Sequence, residues 1–286
     1  MAELPRDAAM LSARAASPGG GTPSGRAASP AQVGAPSPPA PLRRMVLAQS
    51  AFELRLLARR GENLLVTLAL PVVLLMFFGT VPLGTDRPTD LRSLLPAVVA
   101  VAIVATSFVN LGIATAFERS QAVLKRLGGS PLPRGGLVAA KLATVGLVEA
   151  GQVALLVGVA ALLGWRPQRP VEAGLLVAAV TLGTWAFASL GLLLAGLLRA
   201  ETALAVVNGL FVVVLLLGGA VVPLERLPDG LRAVAELLPT APLAGALEAA
   251  LGSAAADPAV VGGRLAVLAG WAVLGSAGAA RTFRWE

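Results

Sequence analysis

The sequence predicts an all-α polytopic membrane protein, and three observations carry that prediction. Apolar residues make up 56% of the 286-residue chain and charged residues only 14%, against about a quarter charged in an ordinary soluble domain. Apolar runs of roughly twenty residues recur, each long enough to cross a hydrocarbon core about 30 Å thick as a helix. Basic residues gather on alternate connections between those runs, the pattern that membrane insertion imposes on cytoplasmic loops.

Charge and absent residues narrow the function. The formal charge is +7, but no compact basic domain stands ready to cradle a phosphate backbone, so nucleic acid is not the expected partner. With no Cys, disulfides, thiol nucleophiles and thiolate metal sites are excluded. With no His, a Ser-His intramembrane protease is excluded as well. No catalytic set and no metal site is expected. Basic residues are 21 Arg against 2 Lys, a bias that suggests a high-GC bacterial genome.

In chain order, residues 1–41 are rich in Pro, Ala, Ser and Gly without apolar periodicity. Such a segment cannot bury enough surface to offset its ordering entropy and is expected to be disordered; a start at Met45 is the alternative. Residues 42–286 are expected to form one six-span domain. Its first piece, 42–61, places Leu47, Ala51, Leu54 and Ala58 at helical spacing beside Gln49, Glu53, Arg55, Arg59 and Arg60, which predicts an interfacial amphipathic helix. Six spans follow, at about 63–81, 94–117, 137–163, 171–198, 203–222 and 260–280. Pro71 is expected to kink the first, where neighbouring helices can satisfy the freed carbonyl.

Two connections stand out. Phe117 to Lys141 is short, basic and polar. Within it, Glu118, Gln121 and Lys125 share one helical face, with Arg119 and Arg126 beside them and Val123, Leu124 and Leu127 opposite. Gly128, Gly129, Pro131 and Pro133 then stop the helix. A polar-faced helix of this kind suits a docking groove on a partner; the alternative is an ordinary basic loop. Residues 223–258 carry two short apolar pieces, Leu231–Leu238 and Leu243–Leu251, broken by Pro239 and Pro242. Neither is long enough to span, so two short amphipathic helices in the outer leaflet are expected.

Counting Arg and Lys fixes the orientation. One set of flanks holds 13 and the other 7, which puts both termini and the 117–141 loop in the cytoplasm. Inside the spans, polar residues are few: Asn110, Glu149, Gln152 and Asn208. A carboxylate at the bilayer centre is costly, so Glu149 should face a cavity or a partner, or carry a proton. A translocation pathway and a structural hydrogen bond between helices are both open readings. Gly158, Gly191, Gly196, Gly270 and Gly275 are expected to permit close helix packing.

Three stretches resemble one known family. Glu118-Arg119, Leu124-Lys125-Arg126-Leu127, Ser130-Pro131-Leu132 and Lys141 look like the loop between the second and third spans of ABC exporter permeases of the second exporter superfamily, with the type V exporter fold. Glu62-Asn63-Leu64-Leu65 with Pro71 looks like that family's approach to its first span. Gly218-Gly219, Pro223, Leu227-Pro228, Pro239 and Pro242 look like its fifth span and external hairpin. The resemblance covers about residues 45–286. It implies that 118–127 is a coupling helix seated on a separate ATPase, with Glu118 and Arg119 as the foremost ion-pairing contacts and Lys125 and Arg126 beside them. It implies further that 42–60 is a connecting helix and that the hairpin, with Pro223, Pro228, Pro239 and Pro242, gates the outer end of the pathway.

Neither lysine sits in a phosphate-binding loop frame, so ATP and Mg are expected on the partner ATPase and no cofactor on this chain. Six spans alone make a poor pathway, so a second permease, identical or not, is expected alongside the membrane lipids. The expected function is ATP-driven export of a small amphipathic, drug- or antibiotic-like molecule across a bacterial plasma membrane. The alternatives are lipid or glycan-precursor export by the same class, or an ion-coupled secondary transporter. The latter would show internal repeats and more intramembrane charge.

Overall fold

In hydrocarbon every backbone N–H and C=O must be satisfied within the protein, and a helix does this segment by segment. The computed structural model describes residues 40–59, 61–82, 89–123, 132–218 and 227–282, and among these it holds helices and no strand. Most of the expected 1–41 tail, and with it Lys125, Arg126 and Pro223, lies outside the described residues.

Helix α1 (Leu42–Arg59) is the expected amphipathic piece. Its polar side is the docked one: Ser50 is buried, while Leu47, Ala51, Leu54 and Ala58 all stay exposed. An apolar stripe left free on a short basic helix suits the headgroup boundary of a bilayer. Helix α2 (Gly61–Thr80) contains Pro71. Next, α3 (Leu91–Val104) is capped by Asp90, whose carboxylate accepts from the Arg92 amide at 3.0 Å. It passes through a π-helical segment, Ala105–Asn110, into α4 (Leu111–Ser120). Then come α5 (Arg134–Leu162), α6 (Ala173–Leu197), α7 (Ala200–Leu217), α8 (Asp229–Leu237), α9 (Thr240–Ala250) and α10 (Pro258–Thr282).

Among the described residues, five stretches are long and apolar enough to cross a membrane: Leu91–Ser120, Gly135–Leu162, Ala173–Leu197, Ala200–Leu217 and Pro258–Thr282. The first expected span, 63–81, falls on α2, whose apolar stretch Leu65–Thr80 is shorter. The chain is thus a multi-pass membrane protein. Its core is built around α3 and α6, with Leu95, Val99, Ile103, Phe187, Leu243, Leu247 and Leu268 buried together. α6 packs against α10, α4 and α9.

Two sequence expectations change. The piece expected as a second amphipathic helix, Leu243–Leu251, is α9, and almost every residue of it is buried, Leu243, Ala246, Leu247 and Ala250 completely. It lies inside the bundle against α3, α6 and α10, where its run of Ala and Gly permits close approach on every side. Pro242 does not break it. Proline is tolerated in a first helical turn, where its missing N–H has no partner to lose, and Pro239 stands just before that turn. Of the two hairpin helices only α8 is amphipathic, with Leu231, Val234 and Leu237 exposed.

The helix ends gather at two levels. At the hairpin end the connections interlock: the Ser253 hydroxyl donates to the Arg92 carbonyl at 2.6 Å, and the Glu172 amide to the Ala250 carbonyl at 2.9 Å. Gly252 has φ +72°, and a Cβ there would run into the Arg169 carbonyl, so only glycine fits. At the opposite, loop end, α1 packs on the start of α5, which also holds the end of α4 through Lys141.

Candidate functional site

The intramembrane polar residues are sorted by the π segment. A π turn widens the helix by one residue and turns its hydroxyls onto a new face. Thr106 and Ser107, both buried, thereby meet α5. The Thr106 hydroxyl donates to Gln152 Oε1 at 3.4 Å. Gln152 Nε2 in turn donates to the Thr67 carbonyl at 2.8 Å, and Asn110 Nδ2 to the Thr67 hydroxyl at 3.3 Å. Gln152 and Asn110 are therefore joined through α2. Glu149, fully buried one turn before Gln152 on α5, is paired with the Thr184 hydroxyl of α6, whose single proton is shared with the Val180 carbonyl at 2.7 Å. Ser107 is the other hydroxyl beside it, but its proton goes to the Ile103 carbonyl at 2.6 Å. That leaves Glu149 Oε1 without a partner.

Asn208 stands apart: it is exposed on α7 and donates to its own helix, at Leu204 O, 2.7 Å away. Asn110 is exposed as well. Both exposed amides belong to helices that pack together, the π segment and α7. An amide facing lipid is unfavourable, so each of these two positions is suited to water or to another protein surface. Thr67, Thr106, Ser107 and Thr184 escape sequence reasoning. A hydroxyl in a span commonly bonds its own backbone, and only the fold shows which ones reach across.

Between α5 and α6 lies a groove of about 900 Å³, lined by Leu142, Gly146, Val153, Val157, Val180 and Thr184 among others. Thr184 is the point where the groove wall meets the Glu149 cluster.

At the loop end the two residues expected to reach a partner are held within the chain. The helix expected over 118–127 begins as the last turn of α4, which ends at Ser120; a turn follows, with Ala122 at φ 57°. Glu118 Oε2 is 2.7 Å from Lys141 Nζ on α5, and the same ammonium lies 3.6 Å from Glu53 Oε1 on α1. Arg119 donates to the carbonyls of Gly196 and Leu198, closing the end of α6. The α1–α5 contact carries two further bonds, Ser50 Oγ to Ala140 O at 3.1 Å and Thr144 Oγ1 to Ser50 O at 3.4 Å.

At the hairpin end, Pro228 and Pro239 stand just before α8 and α9. α10 fastens both helices: Trp271 Nε1 donates to Leu237 O at 2.8 Å, and the Arg264 guanidinium to Gly245 O at 2.7 Å.

Comparison with known proteins agrees with this architecture. A protein-family model described as ABC-2 type transporter matches residues 46–251. The chain is similar to YvfS of Bacillus subtilis (strain 168), provisionally named a transport permease, with 25% identity over 196 residues, covering 67% of this chain and 79% of that protein. Multi-pass helices, a buried polar cluster and a family match over most of the chain converge: the chain belongs to the ABC-2 type transporter family, membrane permeases that work with a nucleotide-binding ATPase subunit.

Proposed function

We propose that this chain is the membrane subunit of an ATP-driven exporter that moves a small amphipathic, drug-like molecule outward across a bacterial plasma membrane. The observation that carries the reading is the family match over residues 46–251. In this reading α2 is a sixth span, the loop end and both termini are cytoplasmic, and ATP and Mg are bound on the partner ATPase. The basic excess at the loop end, 13 against 7, supports that orientation.

The segment 118–127 couples the chain to the ATPase. Lys125 and Arg126 are placed to meet it, while Glu118 and Arg119 anchor the base of the segment to the bundle. The face carrying Asn110 and Asn208 borders the pathway and is completed by a second permease, with Glu149 and Gln152 behind it. The hairpin of α8 and α9, with Pro223, Pro228, Pro239 and Pro242, gates the far end. The apolar groove between α5 and α6 supports a cargo with an apolar body; export of a lipid or glycan precursor is the second reading, favoured by the same groove.

Affinity purification from the native host tests the proposal. An ATPase subunit with a phosphate-binding loop should co-purify in equal amount with the permease. Recovery of the folded permease without any such subunit would refute it.

A further inference from the structure

The buried ammonium of Lys141 has no counterpart in the proposed pathway, and the lysine and its two carboxylate partners lie on three different elements. Its side chain is 5% exposed and is flanked by Glu118 of α4 at 2.7 Å and Glu53 of α1 at 3.6 Å. A buried cation persists only when its charge is matched. α1, α4 and α5 therefore cannot part at this point without stranding a charge. On either side of Lys141, Ala140 and Thr144 bond Ser50 of α1, so α1 is pinned to the same turns of α5 that hold the lysine. The neighbouring Arg119 points to the carbonyls that end α6. Adjacent residues at the base of the 118–127 segment thus reach two different helices, α5 and α6.

We propose that Lys141 is a positioning residue for force transfer: it makes α1, the end of α4 and the start of α5 a single lever, so that a displacement of the 118–127 segment moves all three together. This rests on the proposed role of that segment as the ATPase contact. Because α1 keeps its apolar stripe outward, such a lever sweeps the helix through the headgroup layer and tilts α5, which carries Glu149 two turns further on.

The chain has no cysteine, so in a complex with a cysteine-free ATPase, and with labelled permease diluted into unlabelled permease, spin labels at Leu47→Cys on α1 and Leu155→Cys on α5 report alone. Pulsed electron resonance on the complex with its co-purified ATPase, in nanodiscs, gives the α1–α5 distance without nucleotide and with ATP and vanadate. The same samples give ATP turnover relative to the ATPase alone. Wild type should keep one narrow distance in both states. Lys141→Met should split or broaden it in the vanadate state and lower the permease-dependent turnover about tenfold, within the usual range for coupling between two sites, while the ATPase still co-purifies. Lys141→Arg should restore both. A Lys141→Met complex with wild-type turnover and an unchanged distance overturns the proposal and leaves the coupling segment standing. Absence of any ATPase from the wild-type preparation overturns the coupling segment itself. Should Lys141→Met fail to accumulate, Glu53→Gln weakens only the longer arm. It should broaden the α1–α5 distance, and a distance as narrow as wild type in both states refutes the lever.

Discussion

Replacing Gly191 by Ala would place a methyl group 2.8 Å from the Phe108 carbonyl oxygen and 3.3 Å from Gly112 Cα. Both neighbours are backbone atoms of the π segment and α4, so neither can rotate away. Relief requires α6 and α4 to separate, and overpacking of this kind costs about 1–3 kcal/mol. Alanine also recovers about 1 kcal/mol of helix propensity relative to glycine. Gly158→Ala isolates that second effect, because a Cβ at Gly158 meets nothing within 4 Å. The difference between the two variants is then the overpacking alone, about 1–3 kcal/mol. At roughly 2–4 °C per kcal/mol for a chain of this size, Gly191→Ala should melt about 2–12 °C below Gly158→Ala. Thermal unfolding of both in detergent, followed by size-exclusion fluorescence, reads the difference. A Gly191→Ala protein as stable as Gly158→Ala would refute the close crossing.

Three further outcomes are expected. The double change Glu118→Ala and Arg119→Ala should abolish transport in vesicles while leaving insertion intact, because it removes the Lys141 pair and the cap on α6 together; surviving transport would show that this base carries no force. Glu149→Gln keeps an oxygen to accept from Thr184, so the fold should survive while transport rate or cargo preference changes. Identical transport across a cargo panel would make Glu149 a structural residue. Arg264→Ala leaves the Gly245 carbonyl without its charged donor and should cost about 1.5–3 kcal/mol, seen as a lower melting temperature that Arg264→Lys partly restores.

Much of this architecture is legible in the sequence because length and apolarity suffice to predict a span. What the sequence leaves hidden depends on contacts between distant residues. The π segment has no local signature; its hydroxyls acquire meaning only against Gln152 and Thr67. Lys141 stands in a recognisable motif, yet its partners at Glu118 and Glu53 lie on other helices and nothing in spacing selects them. Glu118 and Arg119 begin a polar loop in the sequence, but the second span continues as far as Ser120, and their side chains reach Lys141 and the carbonyls at the end of α6, contacts that spacing does not select. The burial of α9 does have a signal in the sequence: Ala241, Ala244, Gly245, Ala246, Ala249 and Ala250 are small on every face, which fits a helix enclosed on all sides better than one floating at an interface. Glycine permits close packing at Gly191, Gly196 and Gly275, where a Cβ would meet another helix at 3.3 Å or less, whereas Gly158 and Gly270 face open space within this chain.

The central claim is that this permease is driven by ATP hydrolysed on another chain. It is tested most directly by reconstituting the purified permease with its co-purified ATPase in sealed vesicles and following uptake of a lipophilic fluorescent drug. Uptake should require ATP and Mg and persist when a protonophore collapses the proton gradient. Uptake that ignores ATP and follows an imposed proton gradient would contradict the account.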